Sequence, residues 1–165
     1  CVPLSSNGAG RPLFVQRAYR FDEKEKSWTM SANVYSSDRC VADTRMMTYE
    51  GSGSYEITGR SRVGTNVYEA TFTMSNWQAT ATSREGTLAM FNARCGSGVF
   101  DEGRIIDLTR SGCSLVTLQP LTVAATGREL LRVTDDKIFL GANSPMPHQG
   151  SERPTQLSSY GLSKL

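Results

Sequence analysis

The stretch that best indicates the fold is residues 13–21, Leu13-Phe14-Val15-Gln16-Arg17-Ala18-Tyr19-Arg20-Phe21. Alternate side chains of an extended strand point to opposite faces, so one face carries Leu13, Val15, Arg17, Tyr19 and Phe21. This row predicts one of two arrangements. In the first, it belongs to a core strand whose arginine extends to the rim or pairs with an internal Asp or Glu. In the second, it forms the floor of an apolar pocket that contains one fixed cation. A shift of the strand by one residue would make Arg20 the inward cation instead.

Most of the remaining chain alternates in the same way. The clearest case is residues 67–75, with Tyr68, Ala70, Phe72 and Met74 on one face and polar residues on the other. Further strands are predicted at 28–35, 43–50, 54–59, 103–109, 114–118, 129–134 and 137–140, with a glycine-rich turn at 51–53. Only residues 83–92 break this pattern, and they suit a short helix that follows a serine, although Gly86 is unfavourable there.

About nine short strands and one short helix predict an all-β fold. The expected architecture is an antiparallel β-barrel or a strongly curved, lipocalin-like half-barrel, and a β-sandwich is the alternative. The 165 residues fit a single domain. We expect this domain to span residues 11–165, after a flexible segment at residues 1–10. An irregular tail is predicted from about residue 142, in which residues 155–162 could close the sheet.

Four cysteines, Cys1, Cys40, Cys95 and Cys113, predict disulfides, because the chain has no Cys-x-x-Cys pair and only one histidine for a metal site. Of three possible pairings, Cys1–Cys40 and Cys95–Cys113 are favoured, since the second closes a short loop and the first ties the N-terminal segment to a strand end. Disulfides indicate an oxidising compartment, so the protein is expected to be secreted, on a cell surface or in a bacterial envelope. Alternatively, Cys1 is the lipidated residue of a lipoprotein and tethers the chain to a membrane.

The charge pattern and the apolar runs exclude several classes of partner. The net charge of +2 is spread over the chain without a block of lysines or arginines, so neither nucleic acid nor an anionic membrane surface is an expected partner. No apolar run approaches the length of a transmembrane helix.

The sequence does not favour an enzyme. His148, the only histidine, lies in a proline-rich stretch that offers a catalytic base little rigidity. Carboxylate pairs could be formed by Asp101 with Glu102 or by Asp107 with Glu129, but adjacent acidic residues in a glycine-rich loop are usually solvated. We therefore predict no catalytic residue, no metal and no cofactor.

An inner cavity is suggested by residues that adapt to flexible apolar ligands. The chain supplies Met30, Met46, Met47, Met74 and Met90 together with Trp28 and Trp77. The alternative is that these side chains simply fill a solid core. The predicted ligand-binding residues are Arg17, Tyr19, Phe21, Trp28, Met30, Tyr68, Phe72 and Met74, with Arg17 at the acidic head of the ligand.

Several short motifs occur in the order found in the APCDD domain, the domain repeated in the adenomatosis polyposis coli down-regulated protein family. They are Arg11-Pro12, residues 13–21, Trp28, residues 35–40, Cys95-Gly96, Gly112-Cys113, residues 129–133, residues 139–141 and Arg153-Pro154. The chain resembles a single-domain form of that family. The resemblance implies a β-barrel-like domain that accommodates a lipid, such as the acyl chain carried by Wnt proteins. Wnt antagonism itself is not carried over, because family members with that activity have two such domains and a membrane anchor.

These patterns predict a non-catalytic, extracytoplasmic domain that binds a fatty-acyl chain, either as a free fatty acid or on an acylated protein such as a Wnt-type ligand. A protein-protein interaction module, or an envelope lipoprotein with a solid core, is the alternative. A small secreted enzyme is the third possibility.

Overall fold

The computed structural model describes residues 1–4, 12–123, 125–142, 149 and 151–163. These residues form nine strands and one α-helix. The elements are β1 (Val2–Leu4), β2 (Leu13–Asp22), β3 (Ser27–Tyr35), β4 (Arg45–Arg60), β5 (Val67–Ala81), α1 (Arg84–Asn92), β6 (Ile105–Asp107), β7 (Thr126–Val133), β8 (Lys137–Leu140) and β9 (Leu162–Ser163).

All nine strands belong to one antiparallel sheet in the order β1-β2-β3-β4-β5-β7-β8-β9, and β6 pairs with the end of β5. The sheet curls into a half-barrel, which confirms the predicted all-β curved fold and excludes the sandwich. Cα atoms of β2 and β9 come within 8 Å of each other, but no pairing joins the two strands in the described chain.

The concave face of the sheet holds the core. On β2, the buried or half-buried row is Leu13, Val15, Arg17, Tyr19 and Phe21, whereas Arg20 is exposed, so the strand has the phase that the alternation indicates. Neighbouring strands add Trp28, Met47, Tyr49, Phe72 and Trp77, all of which are almost completely buried. Trp28 contacts the rings of both Phe72 and Trp77, with centroids 5.7 and 6.2 Å apart.

The glycine-rich turn predicted at residues 51–53 is wrong, because β4 runs without interruption from Arg45 to Arg60. Both glycines in this stretch permit close packing: a side chain at Gly51 would enter the Trp77 ring, and one at Gly53 would overlap the backbone of Thr73. The local irregularity is a bulge between Ser52 and Gly53. A glycine pair that indicates a turn from sequence thus marks close approach between strands.

The predicted helix is present at Arg84–Asn92, and Ser83 caps it by accepting a hydrogen bond from the Gly86 amide at 3.1 Å. Gly86 occurs in the helix because a Cβ there would overlap the Met46 carbonyl on β4. The strand predicted at residues 114–118 is wrong. That segment is a 3-10 turn at Ser114–Val116, ended by Thr117 in the left-handed conformation.

Both predicted disulfides, Cys1–Cys40 and Cys95–Cys113, are present. The prediction of a flexible segment at residues 1–10 is wrong for its first four residues, because Val2–Leu4 pairs with β2 and Cys1 is bonded to the loop after β3. A Cys1 sulfur in a disulfide also cannot carry the thioether-linked lipid of a lipoprotein. Residues 5–10 lie outside the described chain.

The C-terminal segment adds an edge strand beside β8, whereas the prediction was that residues 155–162 could close the sheet. Leu162–Ser163 pairs with β8, and the Ser158 amide donates to the Leu140 carbonyl at 2.8 Å. The Arg153 guanidinium also forms an ion pair with Glu69 on β5, with Nη1 2.6 Å from Oε2. The described part of this segment has little regular secondary structure, and these contacts tie it to the sheet.

Candidate ligand cavity

A cavity of about 550 Å³ opens at the end of the half-barrel where β2, β4 and β7 finish and β5 and β8 begin. Its volume falls in the range of small-molecule sites, about 300–1,000 Å³. Apolar and aromatic side chains from five strands make up most of its wall: Phe21, Tyr55, Ile57, Tyr68, Leu131, Val133 and Ile138. Several of these strands are far apart in sequence, so only the curl of the sheet brings them together.

The aromatic part of the wall is a packed cluster. Phe21 meets Tyr55 edge to face, with ring centroids 5.3 Å apart, and Phe72 lies behind both rings at 6.0 and 6.2 Å. Edge-to-face pairs are favourable in addition to the area that they bury. The cavity thus has a firm apolar floor on the β2–β4 side.

Charged residues stand at the opening. Arg20, Glu23 and Lys26 line the same cavity, and the Lys26 ammonium lies 6.0 Å from the centroid of the Tyr55 ring. Burial raises the pKa of the Tyr55 phenol, and the nearby carboxylates of Glu23 and Asp22 raise it further. Tyr55 therefore presents a neutral hydroxyl at ordinary pH, and the mouth carries two cations and one anion.

Of the eight ligand-binding residues that the sequence predicts, three line the cavity, namely Tyr19, Phe21 and Tyr68. Phe72 is buried directly behind it, at 2% exposure. Trp28, Met30 and Met74 are equally buried and belong to the packed core. Met30 and Met74 therefore fill the core, as in the alternative interpretation of the methionines. Arg17 does not line the cavity.

Sequence reasoning missed Tyr55, Ile57, Leu131, Val133 and Ile138. The register explains how they meet: Tyr55 is opposite Phe72, Tyr68 is opposite Leu131, and Val133 is opposite Ile138. Each residue falls in a segment that was predicted to be a strand, but the order of strands in a sheet cannot be derived from alternation. The one sequence signal that could have identified Leu131, Val133 and Ile138 is the high apolar content of the two short strands β7 and β8.

Arg17 belongs to a buried polar cluster around Tyr19. Burial raises the pKa of the Tyr19 phenol well above its usual value, the Arg17 guanidinium opposes this shift, and the Glu129 carboxylate adds to it. The Tyr19 hydroxyl has no hydrogen bond of good geometry within the described chain, although Arg17 is close enough to act on it. Glu129 is 6% exposed, and its Oε1 accepts hydrogen bonds from the amides of Leu130 and Gly141 at 2.9 and 2.8 Å. The interpretation of Arg17 as an arginine in an internal polar environment therefore fits its position.

The carboxylate pairs considered for catalysis are not assembled. Asp107 pairs with position 78 of β5 and Glu129 with position 70, so about 26 Å of strand separates them. Asp101 and Glu102 are exposed in a loop. His148 lies outside the described residues.

The described chain contains no cluster of three or more histidine, cysteine, aspartate or glutamate side chains arranged to hold a metal ion. Its one α-helix, of nine residues, is too short and too polar to cross a bilayer. Two disulfides indicate that the protein folds in an oxidising environment. In comparisons with known proteins, no family model matches the chain and no curated protein matches it.

Proposed function

We propose that this protein binds a single fatty-acyl chain in the cavity at the open end of the half-barrel. The observation that carries the proposal is the lining of the cavity, which has a volume of about 550 Å³ and walls made mainly of aliphatic and aromatic side chains. Below the cavity, the concave face of the sheet is filled by the packed core. Such a cavity suits a flexible apolar ligand that enters from the mouth and ends against the core.

The energetics are sufficient for a useful affinity. Each methylene removed from water contributes about 0.8 kcal/mol, so about a dozen of them contribute on the order of 10 kcal/mol. Association costs at least about 4 kcal/mol. One charge-assisted hydrogen bond to the head group adds about 1.5–3 kcal/mol. The balance corresponds to a dissociation constant in the micromolar range.

The charges at the mouth support an orientation with the polar head outside. A carboxylate at the opening would lie near Lys26 and Arg20, both of which line the cavity. An acyl chain attached to a protein could enter in the same way and leave the protein outside. The resemblance to APCDD domains favours the same class of ligand, and the two disulfides are compatible with a secreted, cell-surface or envelope protein.

The test is a titration of delipidated protein with a fluorescent C16 fatty acid. Val133 lines the cavity and is 44% exposed, so Val133→Trp should obstruct the cavity without disturbing the core. Val63→Trp is the matched control, because Val63 is also 44% exposed and does not line the cavity. We expect saturable binding in the micromolar range for wild type and Val63→Trp, and a loss of about tenfold or more in Val133→Trp.

Native mass spectrometry of protein purified without added lipid provides a second readout. Retained acyl ligands should appear as added mass on the folded protein, and this added mass should be lost on delipidation. If delipidated wild type is folded but binds no fatty acid, or if both tryptophan variants bind equally, acyl binding in this cavity is excluded.

A protein-protein interaction module is the second candidate, and one surface favours it. Leu88 and Phe91 on α1 are 55% and 63% exposed, and Phe91 meets Phe100 edge to face at 5.9 Å. Val99, which precedes Phe100 in the chain, is 58% exposed. Exposed apolar clusters of this kind are typical of binding surfaces. A folded, delipidated protein without acyl affinity would make this surface the better indication of function.

A further inference from the structure

We propose that the convex face of the sheet carries a second binding site, for a neutral saccharide. A groove of about 410 Å³ crosses β2, β3, β4 and β5 on this face. Two rows of residues in register across the four strands line it. The first row is Ala18, Ser31, Glu50 and Gln78, and the second is Arg20, Thr29, Ser52 and Asn76.

The groove is lined by short side chains, of which Ala18 and Ser31 are neighbours in the first row and Thr29 and Ser52 in the second, and by longer side chains beyond them. Ala18, Ser31 and Ser52 leave a depression, and Gly51 contributes only backbone to its floor. The strand β5 contains a bulge beside the groove: Ser52 is opposite Asn76 and Gly53 is opposite Met74, so Ser75 is an extra residue. Ser75 and Asn76 are consequently exposed one after the other. Bulges of this kind re-aim side chains and occur often beside binding sites.

Hydrogen bonds within the groove fix the direction of its polar groups. The Gln78 amide nitrogen donates to Glu50 Oε2 at 2.6 Å, which leaves the Gln78 carbonyl oxygen and Glu50 Oε1 as acceptors. The Thr109 hydroxyl can donate its one proton either to Asn76 Oδ1 at 3.3 Å or to the Trp77 carbonyl oxygen at 3.4 Å, and the Asn76 amide nitrogen is a donor in both cases. Oriented donors and acceptors lose little freedom when a ligand binds.

The chemistry of the groove suits a polyhydroxylated ligand. Each sugar hydroxyl can donate and accept, so it can be matched to an amide donor beside a carboxylate acceptor, as Asn76 and Glu50 provide. The groove also holds one cation, Arg20, and one anion, Glu50, so it has no excess charge to select a charged ligand. Thr29, Ser31 and Ser52 add hydroxyls along its length. An acyl chain would find few apolar side chains there.

This site is independent of the proposed acyl cavity. The groove lies on the convex face, whereas the acyl cavity lies on the concave face. Tyr19 and Arg20 are the two residues that line both. Variants of Glu50 and Asn76 therefore test the groove alone, and its failure would leave the acyl-binding proposal unaffected.

The experiment is an NMR titration of the ¹⁵N-labelled full chain with maltose, cellobiose, lactose and diacetylchitobiose, each up to about 20 mM, a range suited to weak binding. Asn76→Ala and Glu50→Gln are the test variants. Thr71→Ala is the matched control, because Thr71 lies on β5 but does not line the groove. Glucuronate and glucosamine are the charged probes.

We expect at least one neutral disaccharide to give saturable shifts in the backbone amides of Ser31, Gly51 and Ser52. Both test variants should weaken this binding about tenfold, and Thr71→Ala should leave it unchanged. The proposal is overturned if no neutral sugar gives saturable shifts at these amides. It is also overturned if the folded test variants bind as wild type does, or if a charged probe binds more tightly than every neutral sugar.

Discussion

The indole of Trp77 on β5 occupies the space that a side chain at Gly51 on β4 would need. A Cβ at position 51 would lie 2.6 Å from Cε3 and 2.7 Å from Cη2 of the ring. Trp77 is fully buried and packs against Trp28, so the ring has little room to move. The absence of a side chain at Gly51 therefore allows the core to pack at the centre of the half-barrel.

Gly51→Ala should destabilise the protein by about 1–3 kcal/mol, because overpacking forces side chains and backbone to shift. Gly59→Ala is the matched control on the same strand, since a Cβ there would meet no atom within 4 Å. We expect the control to stay within about 0.5 kcal/mol of wild type. Urea unfolding followed by tryptophan fluorescence measures both. Equal stability of the two variants would show that Trp77 relaxes at little cost.

The two disulfides should differ in their accessibility to a reductant. Cys95 and Cys113 are 0% and 2% exposed, whereas Cys1 is exposed and Cys40 is half-buried. Dithiothreitol should therefore reduce Cys1–Cys40 first in the folded protein. Alkylation at timed intervals, followed by peptide mapping, gives the order. Loss of each bond should cost about 2–5 kcal/mol of stability. Early alkylation of Cys95 or Cys113 would contradict their burial.

Stability should fall at alkaline pH because of two buried tyrosines. Burial raises the pKa of both Tyr19 and Tyr49 well above the ordinary value of 10.0. Above about pH 10 the unfolded chain loses these phenolic protons while the folded chain retains them, so the stability contributed below pH 10 is lost as pH rises. The free energy of unfolding should decrease by about 1.4 kcal/mol per pH unit for each such tyrosine.

Tyr49→Phe should make this decrease less steep, since it removes one of the two phenols. The control is Tyr160→Phe, because Tyr160 is 53% exposed. Urea unfolding at pH 8, 10 and 11 measures the slopes, within the range where tyrosine ionises. Identical slopes for wild type and Tyr49→Phe would contradict the assignment.

The sequence predicted the elements of this fold better than their arrangement. Alternation placed Tyr19 and Phe21 on the inward face of β2 and Tyr68 on that of β5, because a half-buried strand must separate apolar from polar side chains. It could not predict that Leu131 and Ile138 would join them at the cavity, because strand order depends on contacts across the whole chain. The turn predicted at Gly51 and Gly53 is wrong for a related reason, because the need for glycine at these positions comes from Trp77 and Thr73 on another strand.

The last prediction concerns which cation meets the head group of an acyl ligand. Lys26 lines the mouth of the cavity, whereas Arg17 lies in the buried cluster with Tyr19 and does not line it. Lys26→Met should therefore weaken binding of a fluorescent fatty acid about tenfold, as expected for one charge-assisted hydrogen bond. Binding of the methyl ester of the same fatty acid should hardly change, because the ester carries no charge.

Arg17→Met is the matched variant, with the same substitution at the other cation. We expect it to lower the free energy of unfolding by about 1–3 kcal/mol, because it removes a charged donor from a buried polar cluster. Its affinity for the acid and the ester should remain close to that of wild type. The opposite result, in which folded Arg17→Met selectively loses the acid and Lys26→Met does not, would mean that the head group enters the protein first and lies beside Tyr19.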